Sequence, residues 1–121
     1  MDFFCPAHGG IRVGYPSPTL LRSVSSRKRR SVNGRVVLVL TASPHFALRG
    51  VRVGAKLAAV ARRLRIGRGF SIGLNRWYLA SGRVSQGVLK VRHGVIEEIG
   101  IANGQLTKNR RLAMTFLESF S

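Results

Sequence analysis

The apolar residues form two main patterns along the chain. One is a continuous run in the first half, and the other is the spacing of one helix face in several further segments. The continuous run is Val-Val-Leu-Val-Leu at residues 36–40, between an Asn-Gly pair and a Ser-Pro pair. Such a run between turn signals is typical of a strand that is covered on both faces. We therefore predict a central strand over residues 35–41, and a short strand over 46–48 that pairs back on it.

Three segments show the spacing of an amphipathic helix. Ser17 followed by Pro18 is a typical helix start, and we predict a helix over residues 17–24. The same spacing predicts a helix over 56–64 and a terminal helix over 107–120, capped by Thr107. The apolar positions on these faces are Leu20, Leu21, Val24, Leu57, Val60, Ala61, Leu64, Leu112, Phe116, Leu117 and Phe120.

Residues 89–92 alternate between apolar and basic side chains and lead to His93 and Gly94, which predicts an antiparallel hairpin. A three-residue turn would pair Val91 with Val95 and leave Glu97 as a misfit on the apolar face. A two-residue turn would change that register.

The remaining segments are shorter or more polar. Residues 70–72 and 77–79 are predicted as strands. Residues 25–33 lack apolar periodicity, so we expect a solvated loop or a frayed helix end there. Residues 1–9 are expected to be a loose N-terminal segment.

A five-residue pattern occurs twice, as Gly-Ile-Arg-Val-Gly at 10–14 and Gly-Val-Arg-Val-Gly at 50–54, each time before a predicted helix. This echo suggests two tandem helix–hairpin units, over 10–49 and 50–104. The elements together predict a single α+β domain over 10–121, with a small antiparallel sheet and helices packed on one face.

The charge is far from balanced, because 21 Lys and Arg residues face only 4 Asp and Glu, a formal net charge of +17. Such an excess favours anionic partners such as nucleic acid, anionic lipid, cell-wall polymers or acidic proteins. The alternative is that the arginines reflect a GC-rich genome. The candidate anion-binding residues are Arg27, Lys28, Arg29, Arg30, Arg62, Arg63, Arg65 and Arg68, and Arg110 with Arg111 forms a further basic pair.

Side chains suited to catalysis or metal binding are few. Cys5, the single cysteine, cannot form an internal disulfide. Together with His8 and either His45 or His93 it offers a zinc set without the second ligand pair of a structural site. The sequence therefore predicts no metal, no cofactor and no enzymatic activity.

Two further groups of side chains bear on function. Glu97 and Glu98 are adjacent, so on a strand they point to opposite faces and cannot act together as acid and base. Phe70, Trp77 and Tyr78 could stack on the bases of a single-stranded nucleic acid. Aromatic residues on short strands more often belong to the core, and we predict that Trp77 is buried.

Part of the sequence resembles a known family. Gly54, Val60 and Leu64, the pair Trp-Tyr at 77–78, and the hairpin segments 89–91 and 94–96 follow an order similar to that of the SmpA/OmlA family. These are small outer-membrane assembly lipoproteins whose wider fold is shared with β-lactamase-inhibitor proteins built from tandem helix–hairpin units. The resemblance covers about half of the chain and implies a non-enzymatic α+β module.

The sequence departs from that family at three points. Arg65 stands where the family has glycine, Val91 stands where it has an aromatic residue, and no lipobox precedes Cys5. Residues 73–78 together with 89–102 also resemble uncharacterised exported modules of high-GC bacteria, which suggests export.

We therefore expect a non-enzymatic module that binds another protein or an anionic polymer, in the cell envelope or outside the cell. The alternative is a small basic protein that binds nucleic acid through sequence-independent phosphate contacts. Apolar runs are too short for a transmembrane helix. The first residues lack the features of a signal peptide, which indicates either a cytoplasmic protein or a fragment of a longer exported chain.

Overall fold

The computed structural model describes residues 2–4, 10–82 and 84–121 and contains strands, four α-helices and one 3₁₀ turn. The strands are β1 (Asp2–Phe4), β2 (Ile11–Gly14), β3 (Leu38–Thr41), β4 (Phe70–Ile72), β5 (Asn75–Ala80), β6 (Ser85–Arg92) and β7 (Val95–Asn103). The helices are α1 (Pro18–Arg22), α2 (Ser26–Val32), α3 (Leu57–Leu64) and α4 (Arg110–Glu118), with the 3₁₀ turn at Gly104–Leu106.

The strands form one antiparallel sheet in the order β1-β2-β3-β7-β6-β5-β4. Consecutive strands β4 to β7 pair as a meander, and β3 pairs with β7, with Val39 opposite Ile101. The predicted α+β class with an antiparallel sheet is confirmed, and β3 lies in the sheet interior. The predicted strand over 46–48 is wrong, because Leu48 forms only an isolated bridge with Val51.

The helices cover both faces of the sheet, which corrects the expectation of helices on one face. Val88 and Leu89 are neighbours on β6 and therefore point to opposite faces. Val88 belongs to a core with α1, α2 and α4, whereas Leu89 belongs to a second core with Val60 and Leu64 of α3. Because the central strands carry buried apolar residues on both sides, each face needs its own cover.

The two echoed segments are not equivalent in the structure. Residues 11–14 form β2 inside the sheet, whereas 51–54 lie in a loop, with Val51 in an isolated bridge. The helices that follow them pack on opposite faces. The prediction that the echo marks two similarly placed units is therefore wrong, since the shared residues adopt different structures in different surroundings.

The hairpin between β6 and β7 has the two-residue turn. His93 (φ 53) and Gly94 (φ 75) both adopt positive φ, as a type I′ turn requires. Arg92 pairs with Val95, and a bulge follows that makes Glu97 the extra residue. The bulge explains the misfit expected at Glu97.

The boundaries of two helices differ from those expected. Ser25 accepts a hydrogen bond from the Lys28 N–H and caps α2, so the segment expected to be a solvated loop or a frayed helix end forms a capped helix. Asn109, and not Thr107, caps α4. No helix in the described part of the chain has the length and apolarity needed to cross a bilayer.

Candidate anion-binding surface

The basic run at residues 27–30 lies on α2, where it forms part of a capped helix and not a loop. The Arg29 guanidinium donates from Nε to the Leu21 carbonyl oxygen (2.9 Å) and from Nη2 to that of Val24 (3.3 Å). Lys28 Nζ donates to the Gln105 carbonyl oxygen at 3.2 Å. These two side chains are held by the backbone, whereas Arg27 and Arg30 are exposed one helical turn apart.

The second basic group surrounds the end of α3 on the opposite face of the sheet. Arg62 and Arg63 are exposed in the last turn, where cations are favoured by the partial negative charge of the helix end. Arg65 ends the helix in the left-handed conformation (φ 52), and its N–H is bonded to the carbonyls of the last turn. Glycine commonly occupies this position, so Arg65 costs about 1 kcal/mol of backbone strain.

Arg65 and Arg68 lie on the connection that carries the chain from α3 to the edge strand β4. There they line a cleft of about 260 Å³ together with Lys108 and Arg110, which precede and begin α4. Gln86 and Ser81 also line the cleft, and none of its described lining residues is acidic. The fold thus gathers four cationic side chains around one concave surface.

The wall of this cleft is fixed by hydrogen bonds from α4 and β6. Arg110 donates to the Arg68 carbonyl (3.2 Å) and to the Gly69 carbonyl (2.7 Å), while its guanidinium lies over the Phe70 ring, 4.2 Å from the centroid. Gln86 Nε2 donates to the carbonyl oxygen and the hydroxyl of Thr107, at 2.9 and 3.0 Å. The Arg110 guanidinium is therefore engaged by the protein itself, whereas Arg65, Arg68 and Lys108 are further exposed cations of the cleft lining.

The cleft adjoins a shallow depression that leads towards α2. Ser81, Gln86 and Lys108 line both the cleft and this depression, which Gln105 also borders. Lys28 of α2 is bonded to the same Gln105. Lys28 of α2 thereby lies beside the depression, which shares Lys108 with the cleft.

The acidic residues do little to neutralise this surface. Glu98 is buried and bonds to Arg12 Nη2 at 2.5 Å and to Lys90 Nζ at 3.2 Å. Among the described side chains, these are the only Lys or Arg residues within 4.0 Å of a carboxylate. No described carboxylate therefore pairs with the candidate cations.

The sequence identified part of this surface. Of the predicted anion-binding residues, Arg65 and Arg68 line the cleft. The others lie on α2 and α3, on opposite sides of the sheet. Lys108 and Arg110 line the cleft but were not in the predicted set. The signal for Arg110 in the sequence is the basic pair that it forms with Arg111. Its meeting with Arg68 depends on α4 packing back onto the start of β4.

The aromatic residues do not form an exposed platform. Trp77 has no exposed area, as predicted, and Phe70 is buried beneath Arg110. The Tyr78 hydroxyl accepts from Arg76 Nε at 3.0 Å. Base stacking on these three rings together is therefore excluded.

The metal hypothesis has no support in the described part of the chain. Cys5 and His8 lie outside the described residues. Elsewhere, no group of three or more His, Cys, Asp or Glu side chains is placed to hold a metal ion.

The chain shows little similarity to known proteins. No protein-family model matches the chain, and no curated protein matches it. Among solved structures, an extracellular protein containing a SCP domain from Bacillus anthracis aligns with a TM-score of 0.47 and 12% identity over 91% of this chain. The chain spans 41% of that protein, and an alignment at this level does not indicate a shared function. The SmpA/OmlA resemblance stays a prediction.

Proposed function

We propose that the protein is a non-enzymatic module that binds an anionic polymer on its basic surface. The observation that carries the proposal is the cleft in which Arg65, Arg68, Lys108 and Arg110 meet without an acidic residue among the described lining. Like charges held on one concave surface repel one another and attract counterions. A polyanion relieves the repulsion and releases those counterions on binding.

The arginines favour phosphate as the recognised group. Arg65 and Arg68 present planar guanidinium groups that can bind two phosphate oxygens at once, whereas Lys108 adds a point charge. The neutral side chains of Gln86 and Ser81 supply further polar atoms in the cleft. The buried aromatic rings favour contacts to a phosphate backbone over contacts to bases.

The first experiment is a salt titration of binding to labelled single-stranded oligonucleotides and to heparin, with the double variant Arg68→Gln/Lys108→Gln. Affinity should fall linearly in log salt, and the variant should flatten the slope by roughly 1.4–1.8 units, at about 0.7–0.9 for each of the two phosphates that are no longer neutralised. The matched control is Lys56→Gln/Arg92→Gln, which removes one lysine and one arginine near the His93 turn, away from the cleft.

The control double variant should change the slope by less than the cleft variant, although it removes the same net charge. Equal effects of the two variants would show that only net charge matters. Binding that is independent of salt would exclude the proposal altogether.

A further inference from the structure

We infer that the basic surface is a bent track for a flexible, single-stranded phosphodiester chain, which passes around the corner of the sheet from α2 to α3. This inference rests on the proposed function and specifies its ligand. It assigns the cleft as the central seat and the two helices as flanking contacts on opposite faces of the sheet.

The course of the track follows from the lining residues. On one face, Arg27 and Arg30 are exposed on α2, and Lys28 is bonded to Gln105 beside the depression that Lys108 shares with the cleft. The cleft then leads to Arg65, directly after α3 on the other face. Cationic side chains therefore succeed one another from one layer of the molecule to the opposite layer.

The bend determines which polymers fit. Neighbouring layers of secondary structure lie about 10 Å apart, so a path from α2 across the sheet to α3 covers about 20 Å while it changes faces. Duplex DNA has a persistence length of about 500 Å and cannot bend so sharply at low cost. A single strand lacks the stiffness of the duplex and can follow the bend.

The cleft seats one part of the strand more firmly than the helices do. Its wall is fixed by Arg110, which is bonded to two carbonyls, and by Gln86, which anchors Thr107. A short oligomer should therefore occupy the cleft alone. A longer one should add contacts with Arg27 and Arg30 at one end and with Arg62 and Arg63 at the other.

The experiment compares oligothymidylates of about 4 and about 16 nucleotides, a range that spans typical single-strand sites. Arg27→Gln/Arg30→Gln and Arg62→Gln/Arg63→Gln should each weaken the long oligomer by roughly five- to tenfold and leave the short one within about twofold. Arg68→Gln/Lys108→Gln should weaken both lengths. Circular dichroism and the melting temperature of each variant verify that it folds like the parent.

A duplex of about 16 base pairs tests the bend, because it should engage one flank only and bind the parent at least about tenfold more weakly than the single strand. A poly(glycerol phosphate) chain tests which part of the polymer is recognised. If this cell-wall phosphodiester polymer competes with the oligothymidylate equally well, the protein recognises the phosphodiester backbone alone. Duplex binding as tight as single-strand binding would overturn the track.

If either flanking variant weakened the short oligomer as much as the long one, the assignment of the cleft as central seat would also fail. If these results contradict the track but binding still weakens with salt, the proposed function remains supported.

Discussion

Trp77 is fully buried on β5, and its Nε1 donor has no hydrogen-bond partner in the described structure. Lys90 Nζ lies 5.9 Å from the ring centroid, on the same side of the sheet as Glu98. The burial of Trp77 could be predicted because an aromatic residue with apolar neighbours on a short strand belongs to a core. Its unpaired donor could not be predicted, since it depends on atoms brought there by other strands.

Replacement of Trp77 tests its role in the core. Trp77→Ala should lower the free energy of unfolding by roughly 3–5 kcal/mol, because it empties a large aromatic site. Trp77→Phe should cost clearly less, since it also removes a buried donor whose missing hydrogen bond costs about 1–3 kcal/mol. Urea denaturation followed by far-UV circular dichroism measures both. A Trp77→Ala variant as stable as the parent but deficient in polyanion binding would contradict the structural role.

At the scale of elements, periodic segments were predictable and locally capped ones were not. The helices around Leu20 and Leu64 have apolar patterns that their burial confirms. The predicted central strand is confirmed over Leu38–Thr41, whereas Val36 precedes β3 and is 46% exposed. In α2 only Val32 is buried, so periodicity is absent and the helix depends on the Ser25 cap and on the contacts of Arg29. Local sequence likewise does not show which face α3 covers, because an amphipathic stripe fits either face.

The start of α4 provides a test of capping. Asn109 Oδ1 accepts from the Leu112 N–H at 2.9 Å, so Asn109→Ala should lower the free energy of unfolding by about 1 kcal/mol. Asn109→Ser is the matched control, because serine is an equally good cap and should retain most of the stability. Thermal and urea denaturation of both variants give the comparison. If serine destabilised as much as alanine, the side chain would be acting through something other than the cap.

At the scale of the whole molecule, the net charge of +17 opposes the compact state. Among the described residues, only Arg12 and Lys90 are paired with a carboxylate, in the ion network of the buried Glu98. The overall excess could be counted from the sequence. The grouping of Arg65 and Arg68 with Lys108 and Arg110 could not be predicted from the sequence, because the two pairs are distant in sequence and meet only through the packing of α4 against β4.

Salt should therefore stabilise the folded protein. An increase from about 0.01 M to about 0.5 M NaCl shortens the Debye length from about 30 Å to a few ångströms and screens the repulsion between surface cations. We expect the melting temperature to rise by several degrees, where about 1 kcal/mol corresponds to roughly 4–8 °C for a domain slightly smaller than this one. Differential scanning calorimetry measures the shift. A melting temperature that falls with salt would show that the Glu98 network outweighs the surface repulsion.

The hairpin of β6 and β7 is shared by both cores, since Val88 faces one and Leu89 the other. A change that disrupts the hairpin removes apolar cover from both faces at once, so neither core can persist as an independent folded half. The exchange of the central amide hydrogens with solvent should then require opening of the whole molecule, whereas those of the short edge strand β4 can exchange through local opening. A sheet with one core on each side should thus make this chain unfold as one unit, although the two cores are built from different buried side chains.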